Sequence, residues 1–413
     1  MGTSLSSTET ARATASQAAE FITRSASALH AYGTATHRVE QAVEVMMDRL
    51  GLEGEVFALP TGLFVSIGPP GEKQTSIIRV APGEINLGKL ALLDELVHRV
   101  TREGIQPEEG IREVEAIVTA PPRYSTLLNI FCSFIVSATV CVFLRGGWRE
   151  IFVSGCIGVL TGILALLCRK LPNATFLFEP AAAALSSAIA VIIARNLMPI
   201  SVYETMLAGL IATIPGLILT TAMIELAMRN LVAGTVRLTW AALIFLEITF
   251  GVAFSSQAQK LFPGGLPPVS PVPLPFWAEA VALLIAPLAL SVKFNARMQD
   301  IGWIIAACVV SFYGSRLGAA LFGWEFGGFV GAFCAGAASN IFARVKNLPR
   351  AVVLTPALLL LVPGSIGFVS VSNFLSRNVL SGVEAAFNMV LVAMSIVIGL
   401  LLSHTVVPSR KAL

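Results

Sequence analysis

From Ser125 onward the chain is written in apolar runs, each about as long as a bilayer crossing and parted from the next by a short polar stretch. Ten runs can be traced, over 125–144, 151–168, 177–194, 202–224, 238–256, 276–292, 301–320, 324–342, 351–372 and 383–404. Each predicts a membrane helix. Between the fifth and sixth stands "KLFPGGLPPVSPVPLPF", which cannot be helical because every proline removes a backbone donor. Residues 1–122 have a different texture. Helices are predicted over 15–32 and 35–50, stopped by Gly33 and Gly51, and again over 87–103 and 108–118. "EVFALP", "LFVSIG" and "QTSIIRV" read as short strands, the last two joined by a hairpin loop at Gly68-Pro69-Pro70-Gly71. The pattern divides the chain into a small N-terminal α/β domain (1–122), five crossings (123–256), a proline-rich external link (257–275) and five more crossings (276–413).

The two sets of crossings share a text. "RNLVAG" at Arg229–Gly234 returns 148 positions later as "RNVLSG" at Arg377–Gly382. Fourteen residues before each stands a Pro-Gly pair inside an apolar run, Pro215-Gly216 and Pro363-Gly364. The same shift lays the first five runs on the last five. An odd number of crossings per copy turns the second copy over, so the chain is predicted to be an α-helical polytopic membrane protein, a 5+5 inverted repeat of ten helices. Each Pro-Gly falls near the middle of the fourth run of its half. The proline frees a carbonyl one turn back, and the glycine lets the backbone bend or a substrate approach. At membrane depth such groups are tolerated where they line a cavity or pack against protein. Matched broken helices are therefore expected at a central binding site, with a pair of packing kinks as the plainer alternative.

Composition agrees with a membrane chain. Of 413 residues 55% are hydrophobic and 13% charged, against roughly a quarter charged in soluble proteins. Sixteen of the 25 acidic residues precede Arg123, which marks the first segment as the soluble part. The net charge of +3 comes without a basic run, so no nucleic-acid partner is expected. The six cysteines form no CxxC or Cys/His spacing, and neither a disulfide framework nor a metal is indicated. With the N-terminal domain in the cytoplasm, twelve Lys and Arg fall at inside ends of the runs and six at outside ends, as the positive-inside rule requires. Both termini are then cytoplasmic.

Few polar residues lie within the runs. Glu247 is near the middle of the fifth, where a charged carboxylate costs at least ~2.5 kcal/mol on insertion scales. It is expected to face a cavity, find a partner or hold a proton, which makes it the first candidate for proton coupling. Glu225 suits an inner gate with Arg229 or Arg237, or a contact to a substrate ammonium. Arg229 and Arg377, at opposite faces, suit recruitment of a substrate carboxylate or the capping of helix ends. Asn129, Ser133 and Ser137 make a polar stripe on one face of the first run; they and Thr220, Ser365 and Asn388 suit either a small polar substrate or helix packing. In the N-terminal domain, Asp94 with His98 and His37 with Arg38 and Glu40 form polar clusters. No nucleophile or metal-binding motif accompanies them, so no catalytic residue and no cofactor is expected.

"IPGLILTTAMIELAMRNLVAGTVRL", with "LLLVPGSIGF" in the second half and "YGTATHRVEQAVEVMMDRLG" before the membrane, resembles the threonine/serine exporter family, over nearly the whole chain. The resemblance implies a ten-helix exporter of the cell inner membrane with a cytoplasmic N-terminal domain, driven by the proton motive force. Its partners would be threonine, serine or a related metabolite, protons and the lipid bilayer; a homo-oligomer is left open. The matched breaks make Pro215, Gly216, Pro363 and Gly364 the candidate substrate site. One departure is Glu225, at a position where the family usually has aspartate. Relatives split into two small proteins are associated with dicarboxylate export, so a succinate-like substrate is the alternative, with a channel-like pore beside it.

Overall fold

Two helices packed on a small sheet open the chain: α1 (Thr3–Ala31) and α2 (Thr36–Arg49), then β1 (Gly54–Leu59), β2 (Gly62–Ile67) and β3 (Gln74–Arg79). The computed structural model describes residues 3–69, 71–80, 83–259, 269, 271–272, 274–361, 364–375 and 378–408. The strands pair antiparallel in the order β1-β2-β3, with Gly54 opposite Ile67 and Gly62 opposite Arg79. Along β2, Leu63 and Val65 are buried while Phe64 is exposed, the alternation of a sheet covered on one face. That face meets Phe21 and Ile22 of α1 and Val43 and Met46 of α2 in one apolar core. Gly33 ends α1 at φ +94°, a left-handed backbone that side chains with a Cβ resist. The predicted helix over 87–103 is α3 (Leu87–His98) prolonged by a wider π-turn through Glu103, and α4 (Pro107–Thr119) follows.

Among the described residues, eight helices are long and apolar enough to cross a membrane. They are α5 (Thr126–Phe143), α6 (Trp148–Lys170), α7 (Phe178–Asn196), α10 (Leu231–Gln259), α11 (Phe276–Lys293), α12 (Ile301–Phe322), α13 (Gly327–Lys346) and α16 (Val379–Val406). The fourth and ninth runs are not among them because each is broken. One forms α8 (Val202–Gly209) and α9 (Gly216–Ala227), the other α14 (Ala351–Leu359) and α15 (Gly364–Leu375). Pro215 thus does not sit inside a continuous helix. It stands ahead of α9, where it lacks no needed donor, and its carbonyl accepts from Leu219 N–H at 2.9 Å.

Helix starts recur at the textual offset: Gly216 and Gly364 open α9 and α15, Leu231 and Val379 open α10 and α16. The turns before these helices also match. Asn230 N–H donates to Glu225 O at 2.8 Å, and Asn378 N–H to Asn373 O at 3.0 Å. The helix of the fifth run begins at Leu231, before the expected 238, because Arg237 is paired inside the fold rather than left in a loop. The proline-rich link, apart from a few positions, Pro363, Arg377 and the side chain of Ser365 lie outside the described residues.

The N-terminal α/β segment is seated on one end of the helix bundle. The first amides of α3, Leu87 and Gly88, donate to Phe294 O and Asn295 O just past α11 at 2.9 and 3.1 Å. A Cβ on Gly88 would lie 2.5 Å from that Asn295 oxygen, so glycine permits the approach. Tyr124 donates its hydroxyl to Ala296 O at 2.8 Å, and Arg297 bridges Glu95 at 2.8 Å and Asp300 at 2.9 Å. Beside these polar contacts, Leu87 and Ala91 of α3 are buried in one apolar cluster with Ala296, Ile304, Phe342 and Val352 of the bundle.

Candidate transport cavity

A cavity of about 690 Å³ opens between the seat and the bundle and reaches the breaks of both short-helix pairs. Ile211 through Ile218 line it from the first break, and Leu358, Leu359, Leu360 and Gly364 from the second. The breaks touch. A Cβ placed on Gly364 would meet Ile214 Cγ2 at 2.7 Å and Gly216 Cα at 3.5 Å. Backbone therefore approaches backbone across this point. The wall is largely aliphatic, with Thr139, Thr213, Thr221 and Thr355 as neutral polar groups.

The charged side chains among the lining residues are Arg38, Arg237, Lys293 and Arg350 against Asp94 and Glu179. Lys293, on the last turn of α11, donates to Asn129 Oδ1 at 3.1 Å and Ser133 Oγ at 3.0 Å on α5. Two candidate residues are therefore engaged in positioning an ammonium that itself reaches the cavity. Thr220 is fully buried and gives its hydroxyl to Gly216 O at 3.0 Å, holding the first turn of α9 beside the break. Asn388 is half-buried and does not line the cavity.

Glu225 is fully buried at the end of α9 and satisfied by three donors. Thr36 gives it both its backbone N–H (3.1 Å) and its hydroxyl (2.8 Å), and Arg237 Nε donates at 3.0 Å. Asn230 Nδ2 in turn donates to the Thr36 hydroxyl at 3.1 Å. Of the two partners expected for Glu225, Arg237 is the one present. Arg229 is exposed, with a left-handed backbone at φ +64° that closes α9. The expectation did not foresee Thr36, which ties the N-terminal segment to the broken helix. Its only textual sign was membership in the "THRVE" cluster.

Glu247 is half-buried on α10 and is not part of the cavity wall; Glu179 of α7, its charged neighbour, is. Lys293 and Arg350 were legible only as charges at run ends, where they weighed on orientation alone, and Glu179 carried no signal of its own.

In the N-terminal part of the wall, burial pushes the Asp94 carboxyl up to about 8, with Glu95 adding to it, so Asp94 is protonated at neutral pH. Burial likewise holds His37 down to about 4, ahead of the charges of Arg38, Arg350 and Arg237. The folded protein keeps a proton on Asp94 that the unfolded chain releases, so this residue subtracts stability as pH rises from about 4 toward 8. Asp94→Asn should therefore flatten the fall in unfolding temperature between pH 5 and pH 8. An unchanged slope in that variant would show that Asp94 is ionised.

Residues 20–258 match the threonine/serine exporter family ThrE, and residues 279–406 match its companion ThrE_2, described as "Threonine/Serine exporter, ThrE". A protein of Debaryomyces hansenii named pheromone-regulated membrane protein 10 is 26% identical over 382 residues, covering 89% of this chain and 37% of its own length. A Schizosaccharomyces pombe protein described as uncharacterized is 26% identical over 429 residues, covering 94% of this chain and 51% of its own. The Eremothecium gossypii pheromone-regulated membrane protein 10 is 26% identical over 383 residues, with 90% and 50% covered. This chain thus spans a third to a half of the length of these curated relatives. No solved structure matches it. With the two family matches reaching from the N-terminal segment through α16, the chain belongs to the threonine/serine exporter family.

Proposed function

We propose that this chain exports threonine and serine across the cytoplasmic membrane, driven by the proton motive force, through the cavity at which the two broken helices meet. The eight unbroken spans and the two broken ones make ten crossings, five in each inverted half, and the N-terminal segment is a cytoplasmic domain over the inner mouth. The observation that carries this reading is the contact of Gly364 with Gly216 and Ile214 at the cavity wall. Irregular backbone at membrane depth offers carbonyls and amides to a polar ligand. In this reading Lys293 and Arg237 attract the substrate carboxylate, Thr213 and Thr221 meet its hydroxyl, and Glu179 meets its ammonium. The Glu225–Thr36–Arg237 knot is the inner gate, and release of Thr36 opens the mouth. A dicarboxylate substrate is the second reading, favoured by four cations against two acids among the residues that line the cavity.

Efflux from proteoliposomes preloaded with labelled threonine, serine or succinate decides between them. Threonine and serine should leave faster when an inward proton gradient is imposed, and succinate should not. Efflux of succinate alone would replace the first reading with the second.

Proton coupling is assigned to Glu247. Its charged neighbour is another carboxylate, Glu179, and two such groups repel one another when both are ionised. A proton taken up by Glu247 frees Glu179 to face the substrate, which links the two without placing Glu247 in the path. Glu247→Gln should retain exchange at equal pH and lose acceleration by a gradient. If the variant still concentrates substrate when a pH difference is imposed, the proton travels elsewhere.

A further inference from the structure

Two arginines of the cavity have no acidic partner. Arg38 enters it from the first turn of α2, and Arg350 from the residue that precedes α14. Among the described residues neither forms an ion pair or a side-chain hydrogen bond, unlike Arg237, which Glu225 matches. The surface they retain faces the cavity they line. Burial weakens the hold of both on their protons, and the charge of Arg38 adds to that effect on Arg350, whose pKa falls to about 9. Both remain cations at neutral pH.

Their surroundings are also basic. His37 and His404 both feel Arg38 and Arg350. His37, with 9% of its surface exposed, has a buried Nδ1 without a partner, and so has His30, at 5%. A fold seldom buries two cations beside one another unless something anionic arrives, because removing each from water is costly. Planar guanidiniums bind carboxylate and phosphate oxygens in pairs of hydrogen bonds. Threonine is a poor match here, since its ammonium would add to the surplus of positive charge.

We propose that Arg38, Arg350 and His37 form a binding site for a small dianion with its charge on oxygen atoms, a dicarboxylate or inorganic phosphate, held between α2 and the start of α14. One negative charge answers each guanidinium, and the Nδ1 of His37 supplies a further hydrogen bond. The bound dianion cancels the repulsion between the two arginines. It thereby fastens the N-terminal segment to α14, the helix that leads into the second break. The site lies apart from the meeting point of the two breaks and acts on the mouth rather than on the transported molecule.

The test uses the full chain in detergent, with isothermal titration and thermal unfolding against succinate, inorganic phosphate, acetate and threonine. Succinate or phosphate should bind one to one and raise the unfolding temperature, the responding compound naming the source of the dianion. Acetate and threonine should do neither through these residues. Arg38→Gln and Arg350→Gln should each abolish that binding, whereas Gly364→Leu should keep it, because it closes only the path between the breaks. Without ligand, Arg350→Gln should unfold at the same or a higher temperature, since it removes an unmatched buried charge. The proposal is overturned if neither dianion binds, if both arginine variants bind as the wild type does, or if binding disappears in Gly364→Leu. Loss of threonine binding in the arginine variants would equally overturn it, by making this the substrate site.

Discussion

Replacing Gly364 with leucine should reduce threonine efflux from proteoliposomes to the level of empty vesicles, with insertion and the N-terminal seat retained. The reason is local. Gly364 opens α15 at the point where the two breaks touch, and a Cβ there would meet the terminal Cγ2 of Ile214 at 2.7 Å and the backbone of Gly216 at 3.5 Å. The Ile214 Cγ2 is fixed to the β-carbon and clears the space only if Ile214 turns about χ1, so insertion and the N-terminal seat are read alongside efflux. The added isobutyl group then occupies the space between the breaks and covers the backbone groups assigned to the substrate. Gly364→Ala, which adds a single methyl, should lose only part of the flux. Full efflux from the leucine variant would mean that substrate passes elsewhere.

Glu225→Ala should lower stability by about 3–5 kcal/mol, the usual consequence of removing one partner from a buried charge pair. Arg237, whose side chain is 15% exposed, would be left without its counter-charge, and Thr36 would lose the acceptor for both its amide and its hydroxyl. The loss should appear as a lower unfolding temperature in detergent and as easier proteolysis of the N-terminal segment, since Thr36 is the residue that segment contributes. Combining Glu225→Ala with Arg237→Ala should restore part of the stability, because the stranded charge goes with its partner. Glu225→Asp, with a carboxylate one methylene shorter, tests whether reach matters: it should hold Arg237 or Thr36 but not both. If Glu225→Ala unfolds at the wild-type temperature, the knot contributes nothing and the inner gate must be sought elsewhere.

Much of this was legible in the text of the chain, for reasons that can be named. The apolar runs and the three strands follow from period and punctuation, which are local properties; the strands predicted at "EVFALP", "LFVSIG" and "QTSIIRV" lie within a residue of β1, β2 and β3. The two breaks were legible because proline and glycine act on the backbone wherever they stand, and because the same words occur twice. Partnerships were not legible. Nothing in the spacing of Thr36 and Glu225, 189 positions apart, announces their hydrogen bond, and Lys293 reads as an ordinary loop cation until α5 brings Asn129 and Ser133 to it. Glu247 drew attention by depth alone, since hydropathy reports how far along a crossing a residue lies but not which side of the helix faces a cavity. Arg350 escaped for the same reason: a charge near the end of a run looks solvated until a second segment of the chain covers it.

The central claim is that the two breaks meet and that substrate passes between them. It is tested most directly by joining them. With the six native cysteines replaced by alanine, Gly216→Cys and Gly364→Cys would place two thiols where a Cβ at 364 lies 3.5 Å from the Cα of 216, within reach of a disulfide. Threonine efflux from proteoliposomes carrying this pair is measured reduced, oxidised and reduced again. The account predicts that oxidation forms the bond and stops efflux, that reduction restores it, and that neither single cysteine responds. A cross-linked protein that exports threonine at the reduced rate would contradict it.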